Sequence, residues 1–294
     1  MKIIFVVGMH RSGTSLLVEI LGNLGVQLPP DLIFDSDYPG VCLYESASVV
    51  SCNERILARS GQTWLSPLIN SKLSEVDEAD VLFTLKTIFS DAAGGVVAIK
   101  DPRFCFYLSG WVTAALRLKA RVHVLCVMRD PEDVVNSLYR RNGVFPMHGL
   151  HLWVQYNYAL SLLLKELPSD AWDIVDYESL KRDPHELCNH IECVVCRWEC
   201  KLSRPRQQLS NEVDMSTKAV VPEYASPSTG ISERIRMDWN LYGRKLLCNP
   251  EVLAMQAQLM NDGSAEYERS YYGELLIGSA LARFEIEKSR GVST

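Results

Sequence analysis

The apolar run Ile3-Ile4-Phe5-Val6-Val7 ends directly in Gly8-Met9-His10-Arg11-Ser12-Gly13-Thr14-Ser15, and a helical stripe of Leu16, Leu17, Ile20, Leu21 and Leu24 follows at once. A strand that stops at a glycine and hands over to a helix within six residues constrains the fold more than any other feature of the chain. The spacing G-x-x-x-x-G followed by two hydroxyl residues is that of a phosphate-binding loop. Successive backbone N–H groups and a helix N-terminus converge there on one anion, and glycine lets the backbone approach it. Thr14 stands where ATP- and GTP-binding loops carry lysine, and the cation lies inside the loop instead, at Arg11. That change argues against an ordinary nucleotide triphosphatase. On this motif alone, a strand-to-helix turn without a ligand remains the alternative.

Further apolar runs recur at 96–99, 122–127 and 172–175. They are continuous rather than alternating, as in strands covered on both faces, and helix-period segments separate them. One such segment carries the stripe Val49, Val50, Ile56 and Leu57; another has Asp130 to cap its start, Pro131 in its first turn and Gly143 at its end. The expected fold class is α/β, a central parallel β-sheet flanked by helices in three layers. A polar stretch over 203–230 has no periodicity, and helical patterns follow at 232–248 and 251–289. The expected organisation is therefore a domain over 1–230 and a helical extension over 231–294.

With 294 residues, 47% of them hydrophobic and 22% charged, the chain is one large domain or a domain with an appendage. A net charge of −6 argues against nucleic acid as a partner. No apolar run approaches the ~20 residues that span a bilayer, and the first run is too short for a signal-peptide core. Nine irregularly spread cysteines read as reduced thiols, which makes a cytoplasmic location the expectation. Cys188, Cys193, Cys196 and Cys200, near His185 and His190, raise zinc, but no second CxxC pair follows and the stretch reads equally as a helix with apolar cysteines. No metal site is expected.

A second anion signature stands at Arg129-Asp130-Pro131, with Ser137 eight residues after the arginine. From Val97 to Arg141 there are eight Lys and Arg against four Asp and Glu, net +4 within an acidic chain. Together, the two signatures resemble those of sulfotransferases that use 3′-phosphoadenosine 5′-phosphosulfate (PAPS). Gly8 to Ser15 is similar to that family's 5′-phosphosulfate loop, and Arg129 with Ser137 to its 3′-phosphate signature. Geometry agrees, since Arg129 leaves the carboxyl edge of a strand and Ser137 lies about two turns along the next helix. Lys100-Asp101-Pro102-Arg103, Tyr177-Glu178-Ser179-Leu180 with Asp183-Pro184, and Gly40 to Trp64 with Tyr44-Glu45 and Asn53-Glu54-Arg55 resemble bacterial members. The resemblance covers about residues 1–230 and implies a sulfotransferase-like, P-loop version of the three-layer fold.

It also implies roles. Arg11, Ser12, Gly13, Thr14 and Ser15 would hold the 5′-phosphosulfate, Arg129 and Ser137 the 3′-phosphate, and Lys218 would belong to a lid over the nucleotide. Lys100 and Arg103 would neutralise the transferring group or bind acceptor, or form a structural salt bridge. A sulfuryl group carries less charge than a terminal phosphate, so no metal is required. Cytosolic members place a histidine after the strand where Lys100-Asp101-Pro102 stands, and none is present here. Carbohydrate-directed members use a glutamate after the first helix, which makes Glu45 the candidate base, with Asp101 and His10 as the other candidates; an exposed loop glutamate is the bland alternative. His10, Asp101 and Arg103 are the candidates for acceptor contact. Trp153, Tyr156 and Tyr158 read as core, with stacking on a sugar as the alternative, and His148 and His151 as surface histidines at a helix start, with the border of an acceptor pocket as the alternative. The expected reaction is sulfuryl transfer from PAPS to a hydroxyl or amine of a carbohydrate or small metabolite, with 3′-phosphoadenosine 5′-phosphate (PAP) as product. A P-loop phosphotransferase and a non-catalytic nucleotide-binding relic are the competing classes. Neither the acceptor nor the oligomeric state is legible.

Overall fold

A computed structural model describes residues 1–182 except 37, 68–72 and 93–94. Lys218, the Cys188–Cys200 cluster, Asp183-Pro184, the polar stretch and the 231–294 extension lie outside the described residues. In chain order the elements are β1 (Lys2–Val7), α1 (Thr14–Asn23), β2 (Leu32–Phe34), β3 (Cys42–Ser46), α2 (Ala47–Arg59), α3 (Glu75–Asp91), β4 (Val96–Lys100), α4 (Phe104–Arg117), β5 (Arg121–Met128), α5 (Pro131–Asn142), α6 (Pro146–Lys165), β6 (Trp172–Asp176) and α7 (Tyr177–Arg182).

The four apolar runs form one parallel sheet in the order β4-β1-β5-β6. β1 is fully covered from Ile3 to Val7, which explains its unbroken apolar sequence. Its residues divide by parity: Ile4 and Val6 pack on Leu17, Val18 and Leu21 of α1, whereas Ile3, Phe5 and Val7 face the larger core built with α2 to α6. The result is the three-layer α/β arrangement the sequence implies. The chain leaves β1, returns in β4 on one side, then crosses to β5 on the other. The carboxyl ends of β4, β1 and β5 thus stand side by side where the strand order reverses, which is where open α/β sheets bind ligands.

Element ends follow local chemistry. Asp130 caps α5 by accepting from the Glu132 N–H at 2.8 Å, Pro131 occupies its first turn, and Gly143 ends it with φ 65°. Ser74 and Asp77 form a reciprocal capping box on α3. The β2–β3 hairpin is not anticipated by the pattern. Its strands are three and five residues long, mostly half-buried, and kinked at Tyr44 (φ 57°), so no alternation is written into them.

Gly8 has φ 151°, and a Cβ there would lie 2.6 Å from the carbonyl oxygen of Val127 on the neighbouring strand. Backbone cannot yield as a side chain does. Gly8→Ala is expected to destabilise the fold by about 2 kcal/mol or more, read as a lower urea midpoint at unchanged m-value.

Candidate functional site

The loop 8–13 leaves β1 and delivers the chain to α1. Gly13 adopts φ 95° as the N-cap, and a Cβ there would sit 2.2 Å from the Tyr177 ring. No side chain caps α1 and no acidic residue lies in its first turn. Among the described residues, then, nothing in its own first turn or cap offsets the positive end of the helix. Ser12 and Thr14 are buried; the Ser12 N–H donates to the Met9 carbonyl at 3.1 Å and tightens the turn.

Arg11 is one of three non-glycine residues with positive φ (68°) among the described residues. This left-handed backbone turns its side chain out of the loop to α5, where its Nε donates to Ser137 Oγ at 2.8 Å. Arg129 closes on the same point, donating from Nη1 to the Arg11 carbonyl oxygen at 3.1 Å. Trp153 of α6 fixes the Arg129 backbone through Nε1 to its carbonyl at 3.1 Å, and the Arg129 guanidinium lies 4.3 Å from the centre of the Tyr177 ring. The two anion signatures, 126 residues apart at Arg11 and Ser137, are thus in direct contact. They form one continuous cationic cluster rather than two separate pockets.

The cluster is strongly positive. Burial, then Arg141 and Arg129, push the Arg11 guanidinium down to about 10, with Tyr177 opposing. Among the described residues no carboxylate pairs with Arg11, whereas Arg129 meets Asp133 at 3.5 Å and Arg141 pairs with Asp35. The sequence reading did not place Arg141 or Tyr177 in the site. Arg141 had a signal in hindsight, since it follows Ser137 by one helical turn.

On the β4 side lies a set of compensated charges. Lys100, almost wholly buried, donates to Glu45 Oε1 at 2.6 Å, to the Leu43 carbonyl at 3.1 Å and to Ser15 Oγ at 3.3 Å. A lysine from a neighbouring strand thereby reaches the hydroxyl at the loop's end. Ser15 Oγ in turn donates to the Leu43 carbonyl at 3.1 Å. Tyr44, in the left-handed region, immediately precedes Glu45, and such local irregularities re-aim side chains beside active sites. Asp101, fully buried, accepts from the Arg103 N–H at 2.8 Å and from its Nη1 at 3.1 Å, while Arg103 Nε donates to Glu54 at 2.5 Å. Burial pushes the Asp101 carboxyl up against the opposing pull of Arg103. Arg103 and Asp101 form this internal ion-pair set beside the loop.

His10 packs between Trp64 and Tyr156, at 4.7 and 5.7 Å between ring centres, and its buried Nε2 has no hydrogen-bond partner among the described residues. Burial, followed by Arg103, Lys100 and Arg11, holds its pKa well below the ordinary histidine value. Of the α6 aromatics, Trp153 and Tyr156 are buried and Tyr158 half-buried. His148 is exposed, as expected, but burial pushes the half-covered His151 down to about 4. A cavity of about 560 Å³ lies elsewhere, between α4 and α6, lined by Cys105, Phe106, Ser109, Thr113, Ala159 and Leu163 among others; no residue of the cationic cluster borders it.

Among the described residues no helix is long and apolar enough to cross a membrane, and no three His, Cys, Asp or Glu side chains are grouped to hold a metal ion. No family model matches the chain, and no curated protein matches it. Solved structures similar to it include the sulfotransferase domain from the Synechococcus PCC 7002 olefin synthase (21% identity, TM-score 0.42, covering 65% of this chain and 71% of that one). The sulfotransferase domain from the curacin biosynthetic pathway is 16% identical (TM-score 0.42, 65% and 72% covered), and sulfotransferase STF1 from Mycobacterium tuberculosis H37Rv is 15% identical (TM-score 0.41, 65% and 66% covered). Similarity at this level decides nothing about chemistry, which rests on the site's own geometry.

The depressed His10 gives a pH test. Between the unfolded-state value near 6.5 and its lower folded value, the unfolded chain binds the proton more tightly, so stability is full above 6.5 and falls as pH drops. His10→Gln is expected to remove that component, making the loss of stability from pH 7.5 to pH 5 about 1–2 kcal/mol smaller than in the parent, measured by urea unfolding at both pH values.

Proposed function

We propose that this chain is a PAPS-dependent sulfotransferase acting on a hydroxyl or amine of a carbohydrate or another small metabolite. The observation that carries the reading is the contact between the loop and the second signature, Arg11 to Ser137 with Arg129 closing over them. A donor with a phosphate at 3′ and a phosphosulfate at 5′ needs cations for two anionic groups on one small molecule. The uncapped start of α1 with Arg11 suits the 5′ group, and Arg129 with Ser137 suits the 3′ group.

In the transfer itself an acceptor oxygen bonds to sulfur as the bridging S–O bond breaks, the acceptor's proton passes to a base, and the adenosine bisphosphate leaves. Lys100, at Ser15 and buried, is the cation that would meet charge developing on the transferring group. Glu45 takes the base role in this reading, oriented by Lys100 at 2.6 Å. His10, kept neutral with an unused buried Nε2, is the second candidate at the same edge. Asp101, unlike Glu45, has no exposed side-chain surface for an acceptor to reach, which makes its pairing with Arg103 more suited to shaping the β4 loop than to taking a proton.

Two measurements test this reading. PAP at 100 times its Kd is expected to stabilise the protein by about 2.7 kcal/mol, while ADP and ATP at equal concentration give much smaller thermal shifts. Preference for ATP would instead indicate a phosphotransferase, and binding of PAP without turnover on any acceptor of a broad panel would indicate a relic. Glu45→Gln is expected to lower turnover on the order of 100-fold or more with PAP affinity nearly unchanged; unaltered turnover removes Glu45 from the base role.

A further inference from the structure

Ser137 and Arg141 are four residues apart on α5 and therefore lie on one face of that helix, one turn apart. Asp133 continues the same stripe one turn earlier, where it meets Arg129 at 3.5 Å. Since Ser137 receives the Arg11 hydrogen bond, this face of α5 lies along the phosphate-type loop. Arg141 is accordingly close enough to Arg11 to be the strongest charged influence on it after burial.

Arg141 is not a solvated surface cation. Its side chain is 18% exposed, it pairs with Asp35, whose side chain is 6% exposed, and its guanidinium lies 5.4 Å from the centre of the Tyr38 ring. Asp35 directly follows β2 and is held in place from its own segment: its N–H donates to the Val41 carbonyl at 2.8 Å, and its Oδ1 accepts from the Tyr38 N–H at 3.3 Å. A carboxylate is thus delivered by the hairpin into a group of three arginines whose other acidic neighbour, Asp133, is 48% exposed and more distant. A carboxylate oxygen pair and a phosphate present the same bidentate acceptor geometry to a guanidinium.

We propose that Arg141 is a third cation of the donor site and that Asp35 is its resident counter-ion, which an anionic group of the donor displaces. This rests on the reading of the cluster as the site of a bis-anionic adenosine donor. Asp35 then lowers affinity for PAP while keeping three clustered guanidiniums compatible with folding before the anion arrives. The alternative role is a plain tie between hairpin and helix, in which Asp35 and Arg141 matter for stability and not for the anion.

The test is the Kd of PAP by calorimetry for the full chain and for Asp35→Asn, Arg141→Gln and the double variant, at one salt concentration. Asp35→Asn is expected to tighten PAP about tenfold and Arg141→Gln to weaken it about tenfold, the loss of one charge-assisted contact. In the double variant Asp35→Asn should no longer tighten binding, because its target is gone. Asp35→Ser serves as a second neutral variant, and urea unfolding of each protein identifies any that lose the fold. Folded Asp35 variants that bind PAP no more tightly than the parent, or an Arg141→Gln protein with unchanged Kd, overturn the proposal while leaving the donor reading intact. A parent chain that binds no PAP overturns the donor reading itself.

Discussion

A half-buried guanidinium that reaches from the first loop to the third-layer helix beyond β5 organises this molecule. Arg11 can make that reach because every strand of the sheet runs the same way, so all four carboxyl ends open at one edge. In an antiparallel sheet the loop after β1 and the end of β5 would lie at opposite edges, about 20 Å apart at ~3.3 Å per strand residue. The left-handed backbone at Arg11 is the local strain that converts this adjacency into a hydrogen bond, on the order of 1 kcal/mol or more that the packed surroundings must hold.

Charge is distributed unequally along that edge, and the inequality has chemical meaning. Beyond β1 and β5, Arg11, Arg129 and Arg141 gather with the buried Asp35 and the half-exposed Asp133 among them. Beyond β4, by contrast, Lys100 is matched by Glu45, and Arg103 by Asp101 and Glu54. The first region holds surplus positive charge in a low-polarity setting, where it attracts an anion more strongly than it would in water. The second is balanced and hydrogen-bonded, which suits positioning and proton transfer rather than anion capture. His10 sits at the junction, where burial first, and then Arg103, Lys100 and Arg11, hold its pKa well below the ordinary histidine value.

Support for the site comes from residues that do no chemistry. Trp153 holds the Arg129 carbonyl, Tyr177 lies beneath the Arg129 guanidinium and against Gly13, and Val127 leaves no room for a side chain at Gly8. A loop this tightly packed presents its amides in a fixed arrangement, which is how a backbone site recognises an anion without rearrangement.

The sequence alone determined the sheet: four largely apolar runs, two of them interrupted by the mutually paired His123 and Asp173, match β1, β4, β5 and β6 to within a residue or two, because covered strands favour apolar residues. It also determined the α5 boundaries, where Asp130, Pro131 and Gly143 act through purely local hydrogen bonds and dihedrals, and it located the loop glycines by spacing. Which side chains meet was decided by the tertiary structure. Ser137 as the partner of Arg11, Lys100 as the cation at Ser15, Asp35 against Arg141 and Tyr177 over Gly13 are pairings across strand order, and strand order is set by how helices cover the two faces. The short hairpin that delivers Glu45 and Asp35 was equally hidden, since three- and five-residue half-buried strands have no period to read. Burial and charge at His10, Asp101 and Arg11 follow from those same pairings: a side chain's proton affinity depends on neighbours that its own segment does not name.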